Sequence, residues 1–177
     1  MTKKTWQIAF AGEGGQGIIL SGILLGECAA TREGKNATQT QEYGTFARGG
    51  FCKAEVVISE EPISYPYATE PDVLVAFTEE ALTRFKNKLR PDTLVVYDKT
   101  FFQLDETDVT GIEMTRLAND MGNIAAANLI GLGFVLERTK VIKQNTFIDT
   151  LESRFSGKVL DLNKEAFQKG VELAAQM

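Results

Sequence analysis

IAFAGEGGQGIILSGILLG, residues 8–26, reads as a short apolar strand, a tight glycine turn and an apolar helix. Gly12, Gly14 and Gly17 stand at the spacing G-x-G-x-x-G, which permits a sharp turn and brings a ligand close to the backbone at a helix start. Free N–H groups there favour an anion such as a phosphate. The same spacing also occurs where strand and helix simply pack tightly, so it leaves phosphate contact and packing as open alternatives.

Working outward, the first strand is expected over residues 5–11 and the helix over 15–32, with Ile18, Ile19, Gly22, Ile23, Leu25, Gly26 and Ala29 broadly at helical spacing. Ser21, Gly22 and Gly26 are small enough to let that helix lie close on a sheet. A dinucleotide-binding fold would next show an apolar strand ending in an acid that holds a ribose, about 20 residues after the glycines. Residues 35–42, KNATQTQE, are too polar for a central parallel strand buried on both faces, and neither Glu33 nor Glu42 closes an apolar run. A nicotinamide or flavin dinucleotide is therefore disfavoured.

Residues 43–50, YGTFARGG, form an adaptable loop in which Arg48 offers a fork of donors suited to a carboxylate or a phosphate. Pairing of Arg48 with an acid of its own chain or of a partner subunit explains it equally. Residues 51–59 alternate, Cys52, Ala54, Val56 and Ile58 against Lys53, Glu55 and Val57, which predicts a half-exposed antiparallel or edge strand. Pro62, Pro66 and Pro71 stiffen the next connection, whose Tyr65 and Tyr67 suit either an interface or a cover for the core. A buried strand at 73–77, a helix from Thr78 as N-cap through Leu89, and a strand at 93–97 make a parallel, right-handed strand–helix–strand unit. Beyond it the pattern suggests a strand at 111–114, a helix start near Arg116, and an apolar helix over 122–136 carrying Asn123, Asn128, Gly131 and Gly133. Two glycines cost such a helix about 1 kcal/mol each, so close packing on the sheet or on a partner subunit should compensate. Two amphipathic helices follow, over 145–155 and 162–176, the second with Asn163 as candidate cap. The expected fold class is α/β, a three-layer Rossmann-like, mostly parallel sheet with some antiparallel strand, in a single domain over residues 1–177.

Composition narrows the chemistry. The 177 residues are 44% hydrophobic and 24% charged, ordinary for a globular chain, and a net charge of −5 disfavours nucleic acid as a partner. With no histidine, a His general base, a His-based triad and every His-containing metal site are excluded. Cys28 and Cys52 are too few for the four thiolates of an iron–sulfur cluster and lack a C-x-x-C spacing, so buried free thiols are expected. Thr2-Lys3-Lys4 leads straight into a strand and no long uncharged apolar segment follows, which predicts no membrane span and a cytoplasmic location. No catalytic residue and no metal ligand is assigned.

The words GEGGQG and YGTFARGG, followed by FCKAEVVIS, resemble the gamma subunit of the 2-oxoacid:ferredoxin (acceptor) oxidoreductases, of the pyruvate, 2-oxoglutarate and 2-oxoisovalerate type. The resemblance continues through PISYP at 62–66, DVLVA at 72–76, residues 123–133 and the end of the chain. It departs at Val57, where many relatives have an arginine before Ile58-Ser59, so no contact of that arginine is carried over. What the resemblance implies is a subunit that is not active alone, within a complex that decarboxylates a 2-oxoacid oxidatively and yields acyl-CoA, 2-oxoglutarate being favoured. Thiamine diphosphate and iron–sulfur clusters would belong to partner alpha and beta subunits, or a delta subunit, with ferredoxin or another acceptor reached through the complex. Coenzyme A would be a co-substrate touched by this chain. Gly12, Gly14, Gly15, Gln16, Gly17, Tyr43, Arg48, Gly49, Gly50 and Asn123 are the residues expected at the ligand or at a subunit interface. The alternatives are a free-standing dinucleotide-binding oxidoreductase, or a scaffold domain without a ligand.

Overall fold

The apolar run at residues 8–11 is buried on both faces because β1 (Thr5–Glu13) lies inside a six-stranded sheet of order β2-β3-β1-β4-β5-β6. The computed structural model describes residues 3–44, 50–105 and 108–177. On one side β1 pairs antiparallel with β3 (Phe51–Ser59), which pairs antiparallel with the edge strand β2 (Asn36–Tyr43). On the other side β1, β4 (Val73–Ala76), β5 (Leu94–Asp98) and β6 (Val109–Ile112) are parallel. Five of the six strands thus run one way, and their C-terminal ends share one edge of the sheet.

Two unequal layers cover the sheet. Along β1, Ile8 and Phe10 face a large core, and Ala9 and Ala11 a smaller one, as period-2 alternation requires. The larger core is roofed by α1 (Ile18–Glu27), which continues as a π-helical turn (Cys28–Arg32), and by α3 (Met114–Asp120), α4 (Ala127–Thr139), α5 (Gln144–Arg154) and α6 (Gly157–Gln176). The smaller core lies under α2 (Glu79–Phe85), its 3-10 extension (Lys86–Lys88) and Phe102 and Leu104. Thr78 caps α2 as expected, its hydroxyl accepting from the Ala81 N–H at 3.2 Å. Among the described residues no helix is long and apolar enough to cross a membrane.

Several expectations are corrected. β3 is an internal strand with almost every residue buried, not a half-exposed one. Its polar face tolerates burial because Glu55, 2% exposed, pairs with Lys53 at 3.0 Å, and Lys53 also reaches Glu42 at 3.3 Å. Burial pushes the Lys53 ammonium down, but Glu55 and Glu42 outweigh it and hold it above its ordinary value. The polar stretch at 36–43 is, as expected, no central parallel strand: it forms the antiparallel edge strand β2, where its side chains need not be buried. Asn163 caps nothing: α6 starts after Ser156, and Asn163 is buried within it. The apolar helix expected at 122–136 is instead a 3-10 turn (Ile124–Ala126) followed by α4.

The two α4 glycines face different neighbours. A Cβ on Gly131 would meet Met114 Sδ at 3.0 Å and Val75 at 3.2 Å, on the sheet side. One on Gly133 would stand 2.0 Å from the Phe167 carbonyl oxygen in α6, and one on Gly170 equally close to the Ile130 carbonyl. The second neighbour is therefore this chain's own C-terminal helix rather than a partner subunit.

Candidate site at the glycine loop

β1 delivers the chain to the C-terminal edge of the sheet, and residues 14–17 turn it into α1. The turn is held by its own atoms: Gln16 N–H donates to Glu13 O at 3.2 Å, while the Gln16 side-chain carbonyl accepts from the Glu13 N–H at 2.8 Å. Gly14 N–H donates to Gly50 O at 3.0 Å, which ties the loop to the β2–β3 connection. Gly17 begins the helix in the left-handed region, φ +75°, and a Cβ there would lie 2.6 Å from Asn128 Cγ. Both its backbone and its neighbour therefore demand glycine. Asn128, 2% exposed in the first turn of α4, donates from Nδ2 to Gly17 O and to Ser21 Oγ, each at 3.2 Å.

The first-turn N–H groups of α1 have no partner within the helix, so the dipole end of a ten-residue helix opens at this loop. Beside it Glu13, Gln16, Phe77, Thr78, Glu79, Phe101 and Phe102 line a cleft of about 380 Å³. The cleft lies outside the ends of β1 and β4. There the chain diverges, β1 leading through α1 to one side of the sheet and β4 through α2 to the other, and open α/β sheets bind ligands at such switch points. The rim behind it is rigid. Asp98, fully buried at the end of β5, accepts from Thr100 N–H at 3.0 Å and from Thr115 N–H at 3.0 Å, pinning the start of α3.

Of the residues expected at the site, Gly14, Gly15, Gln16 and Gly17 form one continuous turn, Gly12 precedes it near the end of β1, and Gly50 is bonded to Gly14. Tyr43, at the end of β2 and paired with Cys52, stands 64% exposed at the same edge. Asn123 is half-buried in the α3–α4 turn, where its N–H donates to Ala118 O and its carbonyl accepts from Ala126 N–H. Its described bonds are local, and it is Asn128 that reaches the glycines. Arg48 and Gly49 lie outside the described residues. Phe101, 68% exposed, and Phe102 were missed because their stretch carries no periodic pattern. Asn128 was legible only as a polar interruption in an apolar helix.

The two acids considered for a ribose are otherwise engaged. Glu33 accepts from Lys143 N–H at 2.6 Å and Thr146 Oγ1 at 2.8 Å and pairs with Lys35 at 3.0 Å. Burial pushes its carboxyl up, but these donors outweigh burial and hold it below the usual carboxylate range. Glu42 pairs with Lys53. Cys28 and Cys52 are buried free thiols, both pushed up chiefly by burial. Two enclosed thiols do not fit the four-thiolate set of an iron–sulfur cluster. Nor, among the described residues, do three His, Cys, Asp or Glu side chains gather as metal ligands.

Comparison with known proteins agrees with this architecture. The family model for pyruvate ferredoxin/flavodoxin oxidoreductase matches residues 7–173. The 2-oxoglutarate synthase subunit KorC of Methanocaldococcus jannaschii is 36% identical over 97% of this chain and 95% of its own length. A keto/oxoacid ferredoxin oxidoreductase gamma subunit from Geobacter sulfurreducens superposes with a TM-score of 0.83 at 32% identity, covering 97% of this chain and 99% of that one. The 2-oxoglutarate:ferredoxin oxidoreductase of Magnetococcus marinus, solved with 2-oxoglutarate, coenzyme A and succinyl-CoA bound, gives a TM-score of 0.86 at 31% identity over 99% of this chain. This chain spans about a third of that longer one, 32% of its length. A sequence match over nearly the whole chain and a shared fold lead to one assignment: the chain belongs to the pyruvate ferredoxin/flavodoxin oxidoreductase family.

Proposed function

We propose that residues 1–177 act as the gamma subunit of a cytoplasmic, multisubunit 2-oxoacid:ferredoxin oxidoreductase, with 2-oxoglutarate as substrate and succinyl-CoA as product. The observation that carries this reading is the match to KorC, which spans nearly the full length of both sequences. Thiamine diphosphate and the iron–sulfur clusters belong to alpha and beta subunits, and to a delta subunit where one is present. They supply the decarboxylation and the electron transfer to ferredoxin. This chain's two buried thiols do not fit an iron–sulfur cluster, and no step of that chemistry is assigned to its residues.

Its part is to bind and enclose. The α1 N-terminus, with the Gly15 and Gly17 N–H groups of the turn before it, offers donors to the phosphates of coenzyme A, and the adjoining cleft offers aromatic walls. Glu13 and Glu79 on the cleft's rim repel anions, which confines a phosphate to the helix end rather than the cleft. Tyr43 and Phe101, both exposed at this edge, form surface that the alpha and beta subunits cover on assembly. Arg48 and Gly49 stay proposed ligand or interface residues on the strength of the sequence resemblance.

Hydrogen exchange on the assembled complex, with and without coenzyme A, tests this role. Protection of residues 12–20 by coenzyme A is the expected result. Unchanged exchange there, in a complex that turns over coenzyme A, would reduce the chain to a scaffold.

A further inference from the structure

We propose that Asn128 is the positioning residue of the glycine loop: its amide fixes the Gly17–Ile18 peptide group and thereby sets how strongly the start of α1 holds an anionic ligand. This rests on the proposed ligand contact of that loop. The Gly17 carbonyl accepts three donors, Ser21 N–H at 2.9 Å, Ser21 Oγ at 3.0 Å and Asn128 Nδ2 at 3.2 Å. Donors on a carbonyl polarise the whole peptide group, and hydrogen bonds in such chains strengthen one another. The N–H at the other end of this peptide is that of Ile18, the first residue of α1 and one of its free first-turn donors. Asn128 therefore sharpens an anion donor without placing a charge in the site.

The geometry is enforced from both sides. Gly17 lacks the Cβ that would collide with Asn128, and it takes the left-handed conformation that aims its carbonyl at the amide. Asn128 is held in turn by α4, whose Gly133 packs backbone to backbone on α6, where Gly170 meets Ile130 in the same way. A polar amide among the buried apolar residues of α4 is costly to bury unless it is bonded. A leucine or methionine would fill the same space without needing a partner.

The test uses the complex purified through a tagged copy of this chain, with Asn128→Ala or Asn128→Asp. Loss of one donor to a neutral carbonyl predicts about a fivefold rise in the KM for coenzyme A in Asn128→Ala, with the KM for the 2-oxoacid unchanged. Asn128→Asp keeps the shape, cannot donate when ionised and brings a negative charge toward the anion, so it predicts a larger rise. It also carries the test if Asn128→Ala fails to assemble. Wild-type coenzyme A KM in both assembled variants would overturn the inference, as would a fall in kcat with both KM values rising together, the mark of general damage. Failure of the underlying reading is seen separately: coenzyme A would then leave the exchange of residues 12–20 in the wild-type complex unchanged, and the inference would fall with it.

Discussion

Glu33 shows how one residue ties distant segments and what pH should do to it. Its carboxylate takes donors from Lys143, Thr146 and Lys35, which clamps the end of the π-helical turn to the start of α5. A folded-state value below the usual carboxylate range contributes stability that is present above that range and lost as pH falls through the depressed value. Glu33→Gln should therefore lower stability by about 1–3 kcal/mol at pH 7, a gap that closes as pH falls through the depressed value, as read by urea unfolding across pH. In the sequence this residue was weighed only as a ribose acid, because two of its partners, Lys143 and Thr146, lie 110 and 113 positions away. The same distance hid Asn128: an amide in an apolar run is visible, but that it meets Gly17, 111 positions earlier, is not. Gly17 itself was legible, since the glycine spacing already called for a tight strand-to-helix turn.

Among the elements, the α4–α6 pair makes the sharpest prediction. Gly133→Ala puts a methyl 2.0 Å from a backbone carbonyl, so the two helices must separate, at a cost of about 3 kcal/mol. Gly131→Ala meets a flexible methionine sulfur at 3.0 Å and gains helix propensity, so its net change should stay within about 1 kcal/mol. Urea midpoints of the two variants should differ in that order; equal midpoints would contradict the backbone contact. Loss of the α2 cap in Thr78→Ala should cost about 1 kcal/mol by the same measurement. The parallel unit of β4, α2 and β5 was legible because its apolar runs, capping residue and proline turn are local signals. β3 was not, because alternation reports side-chain polarity and not whether strands on both sides and a lysine–glutamate pair make burial of the polar face tolerable. Edge strand β2 was hidden for the converse reason, a polar run being legible as a strand only once its edge position is known.

For the whole molecule, the lopsided layers direct attention to one edge. Five α-helices shield one face and one short helix the other, while the glycine loop, the cleft, Tyr43 and Phe101 gather where the parallel strands end. That arrangement suits the proposed role of a subunit that closes over chemistry held by others. The direct measurement is anaerobic purification of the tagged chain from its native host, followed by assay of the eluate for viologen reduction with a panel of 2-oxoacids and coenzyme A. Recovery of larger, cluster-bearing partners and reduction that needs both coenzyme A and 2-oxoglutarate is the predicted result. A chain recovered alone, colourless and without 2-oxoacid-dependent activity would contradict the subunit assignment.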